Sequence, residues 1–150
     1  MRYNEKLLKY RKNLGLKQSE VAARIYVQPR AISLWELGKN APGMELLIDL
    51  AKLYNVSMDE LLSEELAEEK IAPVNAQGVF MEMPFPEKLR MMREQLRLSR
   101  EKMAEDLDIS DTAIYRWESG QQMPSIPMIV KLSRFLGMPI DELLYAELKE

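Results

Sequence analysis

Cysteine and histidine are both missing from the 150 residues of the chain. Without cysteine there is no disulfide and no thiolate metal site, and without histidine there is no imidazole acid–base group. These absences exclude most zinc sites and all cysteine or histidine nucleophile systems. They also fit a reducing cytosol, and we expect a cytoplasmic protein.

Long apolar runs are lacking as well. No stretch approaches the roughly 20 apolar residues that a membrane-spanning helix needs, and residues 1–10 carry charges throughout, unlike a signal peptide. We therefore expect no membrane contact. Carboxylates such as Asp59 and Glu60 occur at a helix start, where they favour the helix dipole. We expect no enzyme and no cofactor, and no small-molecule ligand is evident.

One sequence pattern is present twice. Residues 35–39 (Trp-Glu-Leu-Gly-Lys) return as residues 117–121 (Trp-Glu-Ser-Gly-Gln), an offset of 82 residues. The same offset aligns Asp59–Leu62 with Asp141–Leu144 without a gap. The repeat predicts two domains, residues 1–71 and 87–150, joined by a linker over residues 72–86.

Charge is distributed unevenly over these parts. Residues 1–62 contain ten Lys or Arg and seven Asp or Glu, residues 63–86 contain one and five, and residues 87–150 contain ten and twelve. The first unit is mildly basic and the second mildly acidic. Because cations on phosphates supply most non-specific affinity for DNA, the first unit is the better electrostatic candidate for a nucleic-acid contact.

Apolar spacing predicts an all-α protein with five helices in each unit. In the first unit these are residues 4–14, 17–25, 29–36 and 45–54, and a fifth helix that starts after Ser57 and continues through Leu66. Leu14 is expected on the buried stripe of the first helix. Gly15 follows that helix as a terminating glycine, whereas Arg97 takes its place in the copy.

The linker is too apolar for a plain solvated tether. Its segment Val79–Phe85 contains two phenylalanines and two methionines. Two interpretations are open: the segment packs on a neighbouring unit, or it forms a strand or hook that mediates dimerisation.

Two short helices joined by a tight turn, with a small Ala22 or Ala104 in the first, indicate a helix-turn-helix, because alanine lets the helices cross closely. The sequence Gln18–Ala22, Ile32–Lys39 and Pro42 closely resembles the Xre family, the Cro/phage-repressor type of DNA-binding domain. Residues 103–124 show the same frame, and the resemblance covers residues 4–62 and 87–144.

The resemblance implies two tandem five-helix lambda-repressor-like domains. It further implies sequence-specific binding of double-stranded DNA by a bacterial or phage-type transcriptional regulator, with helix three of one or both units in the major groove. It also implies structural ion pairs between helix one and the end of helix three, Arg11 with Glu36 and Arg93 with Glu118. Trp35 and Trp117 fall at a core position of the family rather than at a stacking position.

By the same resemblance, DNA reading falls at the start and outer face of helix three, and Arg30 is the best base reader because a guanidinium can grip guanine with two bonds. Solvated surface remains an equal alternative for each lysine. The predicted DNA-binding residues of the first unit are Lys17, Gln18, Gln28, Pro29, Arg30, Ser33, Leu34, Lys39 and Asn40.

In the second unit the matching residues are Arg100, Asp111, Thr112, Tyr115, Arg116 and Gln121. Asp111 departs most from its counterpart: it could accept from cytosine, cap its own helix or repel phosphate. The second unit therefore binds DNA more weakly, reads a different half-site, or serves as a dimer or protein contact. The rival function is a protein-interaction module, such as an antitoxin or anti-repressor, in which the acidic second unit binds a protein partner. A homodimer is also open.

Overall fold

The computed structural model describes residues 1–73 and 82–149, and the chain divides into two compact units, Met1–Glu68 and Glu69–Glu150. All regular structure in those described ranges is α-helical, which confirms the all-α prediction. The first unit comprises α1 (Tyr3–Asn13), α2 (Gln18–Arg24), α3 (Pro29–Glu36), α4 (Met44–Tyr54), α5 (Met58–Leu61) and α6 (Ser63–Glu68). The second comprises α7 (Phe85–Gln95), α8 (Arg100–Leu107), α9 (Asp111–Glu118), α10 (Ile126–Leu136), α11 (Ile140–Leu143) and α12 (Tyr145–Leu148).

The fifth predicted helix is divided in two in each unit. Leu62 separates α5 from α6 with φ −103° and ψ 18°, and Leu144 separates α11 from α12 with nearly the same angles. Both leucines are fully buried. The prediction of one continuous helix through Leu66 is therefore wrong. The bend lets the chain turn back on α1, where Glu65 Oε2 accepts a hydrogen bond from the Tyr3 main-chain nitrogen at 3.2 Å.

Helix α7 begins at Phe85, inside the segment that the sequence assigns to the linker. Phe85 is fully buried, and its main-chain nitrogen donates to Glu147 Oε2 at 2.9 Å. Residues 74–81, which include part of the apolar segment Val79–Phe85, lie outside the described residues. The two interpretations of that segment stay predictions.

In the first unit the core is built from one face of each helix. Leu7 of α1, Val21 and Ala22 of α2, Ile32 of α3 and Leu47 of α4 are all buried. Leu14 does not join them: it is 52 % exposed, and the expectation that it lies on the buried stripe is wrong. Its position explains this, because Leu14 caps α1 and the chain is already turning away there.

A lysine is buried at the same place in each unit, contrary to the usual surface position of this residue. Lys6 Nζ donates to the Glu60 main-chain oxygen at 2.5 Å and to Ser63 Oγ at 2.7 Å. Lys88, which is fully buried, donates to the Glu142 main-chain oxygen at 2.6 Å. Each lysine therefore ties the first helix of its unit to the short helix that follows the long fourth one.

Candidate nucleic-acid interface

In the first unit, α2 and α3 pack directly on each other across a short turn. Ala22 is buried on α2, and Ile32 and Trp35 are buried on α3. The turn contains Tyr26, which has φ 60° and is 94 % exposed. Pro29 is the first residue of α3, where the missing N–H has no helical partner to lose and the fixed φ suits the helix.

The opposite side of α3 faces outward. Gln28, Pro29 and Arg30 are exposed, and Ser33 and Leu34 are half-buried. Beyond the helix, Lys39 and Asn40 are exposed in the loop before α4. The structure therefore collects the predicted reading residues of the first unit along the start of α3 and two predicted phosphate contacts, Lys39 and Asn40, after its end. The third, Lys17, is exposed at the N-cap of α2.

An ion pair joins α1 to the end of α3. Arg11 Nε donates to Glu36 Oε2 at 2.7 Å and Arg11 Nη2 donates to Glu36 Oε1 at 3.0 Å, a bidentate geometry. Arg11 Nη1 also donates to the Leu16 main-chain oxygen at 2.9 Å. The bond to Glu36 raises the pKa of Arg11, so the guanidinium stays charged. Both side chains are largely buried, which makes this pair part of the scaffold.

Gln18 belongs to the same cluster. Its Nε2 donates to Glu36 Oε1 at 2.9 Å, so one of its two amide N–H donors is used inside the protein. The sequence suggests only an outward contact for this residue. The structure fixes the orientation of the amide and leaves its second N–H and its oxygen for an outside partner.

The second unit repeats the arrangement with different side chains. Ser110 caps α9 by accepting from the Ala113 main-chain nitrogen at 3.2 Å. The predicted contact residues around α9 are all exposed: Asp111, Thr112, Tyr115, Arg116 and Gln121. A surface cavity of about 320 Å³ runs along this helix and is lined in part by Thr112, Arg116 and Trp117.

Arg93 and Glu118 form the corresponding bidentate pair, with Nε to Oε2 at 2.7 Å and Nη2 to Oε1 at 3.0 Å. The pKa of Arg93 is raised by its bond to Glu118. Arg100 replaces Gln18 and donates from Nε to Glu118 Oε1 at 3.2 Å. Its guanidinium carbon also lies 5.2 Å from the centroid of the Tyr115 ring. Arg100 and Tyr115 are therefore in contact, which their positions in the sequence did not indicate.

Within residues 1–73 and 82–149, no group of three or more acidic side chains has the arrangement of a metal site. The helices described there are too short or too polar to cross a membrane. Around α3 and α9 the exposed side chains supply hydrogen-bond donors and acceptors, cations, the Asp111 carboxylate, and the aromatic rings of Tyr26 and Tyr115.

Comparisons with known proteins agree with the internal repeat. The model of the helix-turn-helix family matches residues 7–61 and again residues 89–143. The HTH-type transcriptional activator BcrR of Enterococcus faecalis is 46 % identical over 65 residues, which are 43 % of this chain and 32 % of that protein.

The cryptic phage CTXphi transcriptional repressor RstR of Vibrio cholerae is 32 % identical over 59 residues, which are 39 % of this chain and 53 % of the repressor. The chain thus matches between about a third and about half of the length of these curated relatives. No solved structure matched the chain significantly.

Proposed function

The chain belongs to the Xre type of helix-turn-helix family in both of its units, and from that premise we propose that it binds double-stranded DNA sequence-specifically and regulates transcription. The observation that carries the proposal is the two-sided character of α3. Its inner side is locked into the core by Ile32 and Trp35, while its first turn presents Pro29 and Arg30 to solvent. A reading helix needs this combination of rigid support and exposed side chains.

In the proposed complex, α3 lies in the major groove with its first turn toward the base edges. Arg30 donates two hydrogen bonds to guanine, a contact worth roughly 1–3 kcal/mol of discrimination. Lys17, Lys39 and Asn40 are exposed around the helix and contact phosphates, which sets the register without reading sequence. Gln18 contacts the backbone with the amide group that Glu36 orients.

The second unit is proposed to occupy a neighbouring half-site through α9. Half-sites of this class lie about 34 Å apart. The sixteen residues between α6 and α7 can extend over at most roughly 55 Å, so one chain has enough reach for two successive grooves. Because Asp111 and Thr112 replace Pro29 and Arg30, the two half-sites differ in sequence, and the full site is asymmetric unless two chains pair.

In vitro selection from a random duplex pool with the whole chain tests this proposal. We expect enrichment of a site with two unequal halves whose centres lie one helical turn apart. A chain that carries Arg30→Ala serves as the matched variant and should lose preference in one half only. Absence of any enriched sequence at moderate salt would contradict the proposal.

One observation favours the rival function as a protein-interaction module. The outer side of α8 presents Glu101 and Glu105, Asp108 follows as the cap residue of that helix, and Asp111 is at the start of α9; all four are exposed. This acidic surface is a poor approach to phosphates and suits a basic protein partner. The rival predicts that a protein partner co-purifies with the chain while duplex selection enriches nothing.

A further inference from the structure

Arg100, Tyr115 and Glu118 form a three-residue cluster in the second unit, in which the buried Glu118 carboxylate lies beneath the exposed Tyr115 and the partly exposed Arg100. Glu118 Oε1 accepts from Arg100 Nε at 3.2 Å, and the Arg100 guanidinium carbon lies 5.2 Å from the Tyr115 ring centroid. Glu118 is itself held by Arg93, so the carboxylate that orients Arg100 is fixed to the core. The guanidinium is thus restrained at one edge by a carboxylate and also lies close to an aromatic ring.

The first unit has no equivalent of this three-residue cluster. There the matching positions are Gln18 and Ser33, so the cation and the ring are both replaced by small or neutral groups. Gln18 Nε2 makes the corresponding bond to Glu36 Oε1 at 2.9 Å. The anchoring carboxylate is therefore shared by the two units, whereas the charge and its aromatic support are specific to the second.

The bond to Glu118 uses Nε of Arg100. The two terminal amino groups carry four of the five guanidinium donors and remain for other acceptors. The Arg100 side chain is 41 % exposed, so these donors are accessible to solvent. A fork of N–H groups in a fixed orientation matches the geometry of a phosphate, which it can hold through two parallel bonds.

We propose that the second unit anchors DNA through one pre-oriented arginine, with Tyr115 acting as the positioning residue that holds Arg100 against a backbone phosphate rather than as a base reader. This inference rests on the proposed DNA binding and assigns a role to Tyr115 that differs from its counterpart Ser33. The positive charge of Arg100 compensates for the change of Lys39 to Gln121, which removes a cation from the second unit.

The role of Tyr115 distinguishes the two readings of this surface. A supporting ring needs its π-face, which phenylalanine retains, whereas a reader that hydrogen-bonds to a base edge needs the hydroxyl. Tyr115→Phe should therefore leave DNA affinity and base preference unchanged. Tyr115→Ser should lower affinity about two- to fivefold, the fold-change expected from the loss of an exposed cation–π contact. The loss should be equal for all sequences.

The experiment uses the full chain and the duplex that selection enriches, with affinity measured over a range of salt concentrations. Arg100→Gln should lower affinity about tenfold and reduce the slope of log affinity against log salt by roughly 0.9, the value for one phosphate contact. In the Arg100→Gln background, Tyr115→Ser should have no further effect, because the ring then has no cation to hold. Trp117 fluorescence, recorded for each variant in the Trp35→Phe background, shows that its second unit is folded.

Two outcomes would overturn the inference while DNA binding by the chain stands. In the first, Tyr115→Phe changes the preferred base, which makes Tyr115 a reader. In the second, Arg100→Gln alters neither affinity nor the salt slope, which shows that the second unit does not hold a phosphate there. If the unmodified chain enriches no duplex, the proposed function fails and this inference fails with it.

Discussion

Lys88 Nζ donates a 2.6 Å hydrogen bond to the main-chain oxygen of Glu142, and the lysine that makes it is fully buried. Burial lowers the pKa of Lys88, since the charged form loses water that one carbonyl does not fully replace. Lys88 thus links α7 to α11 through a buried hydrogen bond. Its replacement should lower the free energy of unfolding of the second unit.

Lys88→Met should destabilise the second unit by about 1–3 kcal/mol, because methionine fills the stem volume but leaves the Glu142 oxygen without its donor. The chain has two tryptophans, one per unit, so Trp35→Phe makes Trp117 fluorescence report the second unit by itself. Denaturant unfolding in that background gives the free energy. An exposed lysine, Lys102, changed to Met is the control, and an equal effect at both positions would refute the interior role.

The same lysine predicts an alkaline gain in stability. The folded unit binds the Lys88 proton less tightly than the unfolded chain, so this group contributes stability above the unfolded pKa of 10.5 and loses it as pH falls through the lower folded pKa. With Trp35→Phe in both chains, the Trp117-reported stability of the chain that keeps Lys88 should therefore exceed that of Lys88→Met by more at pH 10 than at pH 7. A difference that is constant with pH would contradict the burial argument.

Tyr54 makes the first unit respond in the opposite direction. Its hydroxyl is buried without a hydrogen-bond partner among the described residues, and burial raises its pKa to about 12 from 10. The folded state therefore holds the proton more tightly, so stability is present below pH 10 and is lost as pH rises toward 12. The full loss is on the order of 2–3 kcal/mol for a shift of this size.

Tyr54→Phe removes both the unpartnered hydroxyl and this titration. We expect the first unit to be as stable as before or slightly more stable at pH 7, and to lose less stability between pH 10 and 12. Trp35 fluorescence in a Trp117→Phe chain gives the measurement. Tyr26→Phe, at the exposed turn, is the control and should leave the alkaline loss unchanged. A larger alkaline loss in Tyr54→Phe would contradict the assignment.

The repeat and the apolar spacing predicted most of the fold, because a buried leucine or valine leaves a periodic trace in sequence. Interior polar groups leave none. Lys6 and Lys88 look like surface residues in sequence, and only their distance to a carbonyl 54 positions later shows otherwise. The break at Leu62 was equally hidden, since leucine is a strong helix former and the bend coincides with the complete burial of its side chain.

The candidate site also contains some features that sequence spacing predicts and others that it does not. Residues along one helix, such as Pro29 and Arg30, could be assigned to a common surface from their spacing. The contact of Arg100 with Tyr115 could not, because it joins two helices through a side-chain conformation that depends on Glu118. The predicted DNA contacts themselves stay predictions.

The scaffold pair Arg11 with Glu36 should be costly to break. Glu36→Gln removes the charge that Arg11 faces and weakens the orientation of Gln18, and a largely buried unpaired guanidinium costs on the order of 3–5 kcal/mol. Denaturant unfolding of the first unit, followed by Trp35 fluorescence, measures this loss of free energy. The double variant Arg11→Met with Glu36→Met should recover part of the loss, because no charge is then stranded. Failure of the double variant to recover any stability would show that the loss is one of packing.

Arg97 occupies a left-handed backbone position that glycine fills in the first unit. Its φ is 58°, against 68° at Gly15. A side chain in this region costs roughly 1–2 kcal/mol, so Arg97→Gly should stabilise the second unit, by less than that because glycine also gains freedom when unfolded. Gly15→Ala should destabilise the first unit through strain rather than collision, since a Cβ there meets nothing within 4 Å. Trp117 fluorescence should therefore report a higher free energy of unfolding for Arg97→Gly. Trp35 fluorescence should report a lower one for Gly15→Ala.

Arg30 and Lys39 separate sequence reading from phosphate anchoring in the proposed complex. Arg30→Ala should lose preference at one base pair, worth roughly 1–3 kcal/mol, while affinity for duplexes that already lack that base pair changes little. Lys39→Ala should instead weaken binding to every duplex and lower the salt slope by roughly 0.9. Arg24, an exposed arginine at the end of α2 and outside the proposed interface, is the control. Equal weakening of all duplexes by Arg30→Ala would make Arg30 a phosphate contact, and the reading role would pass to the other exposed residues at the start of α3.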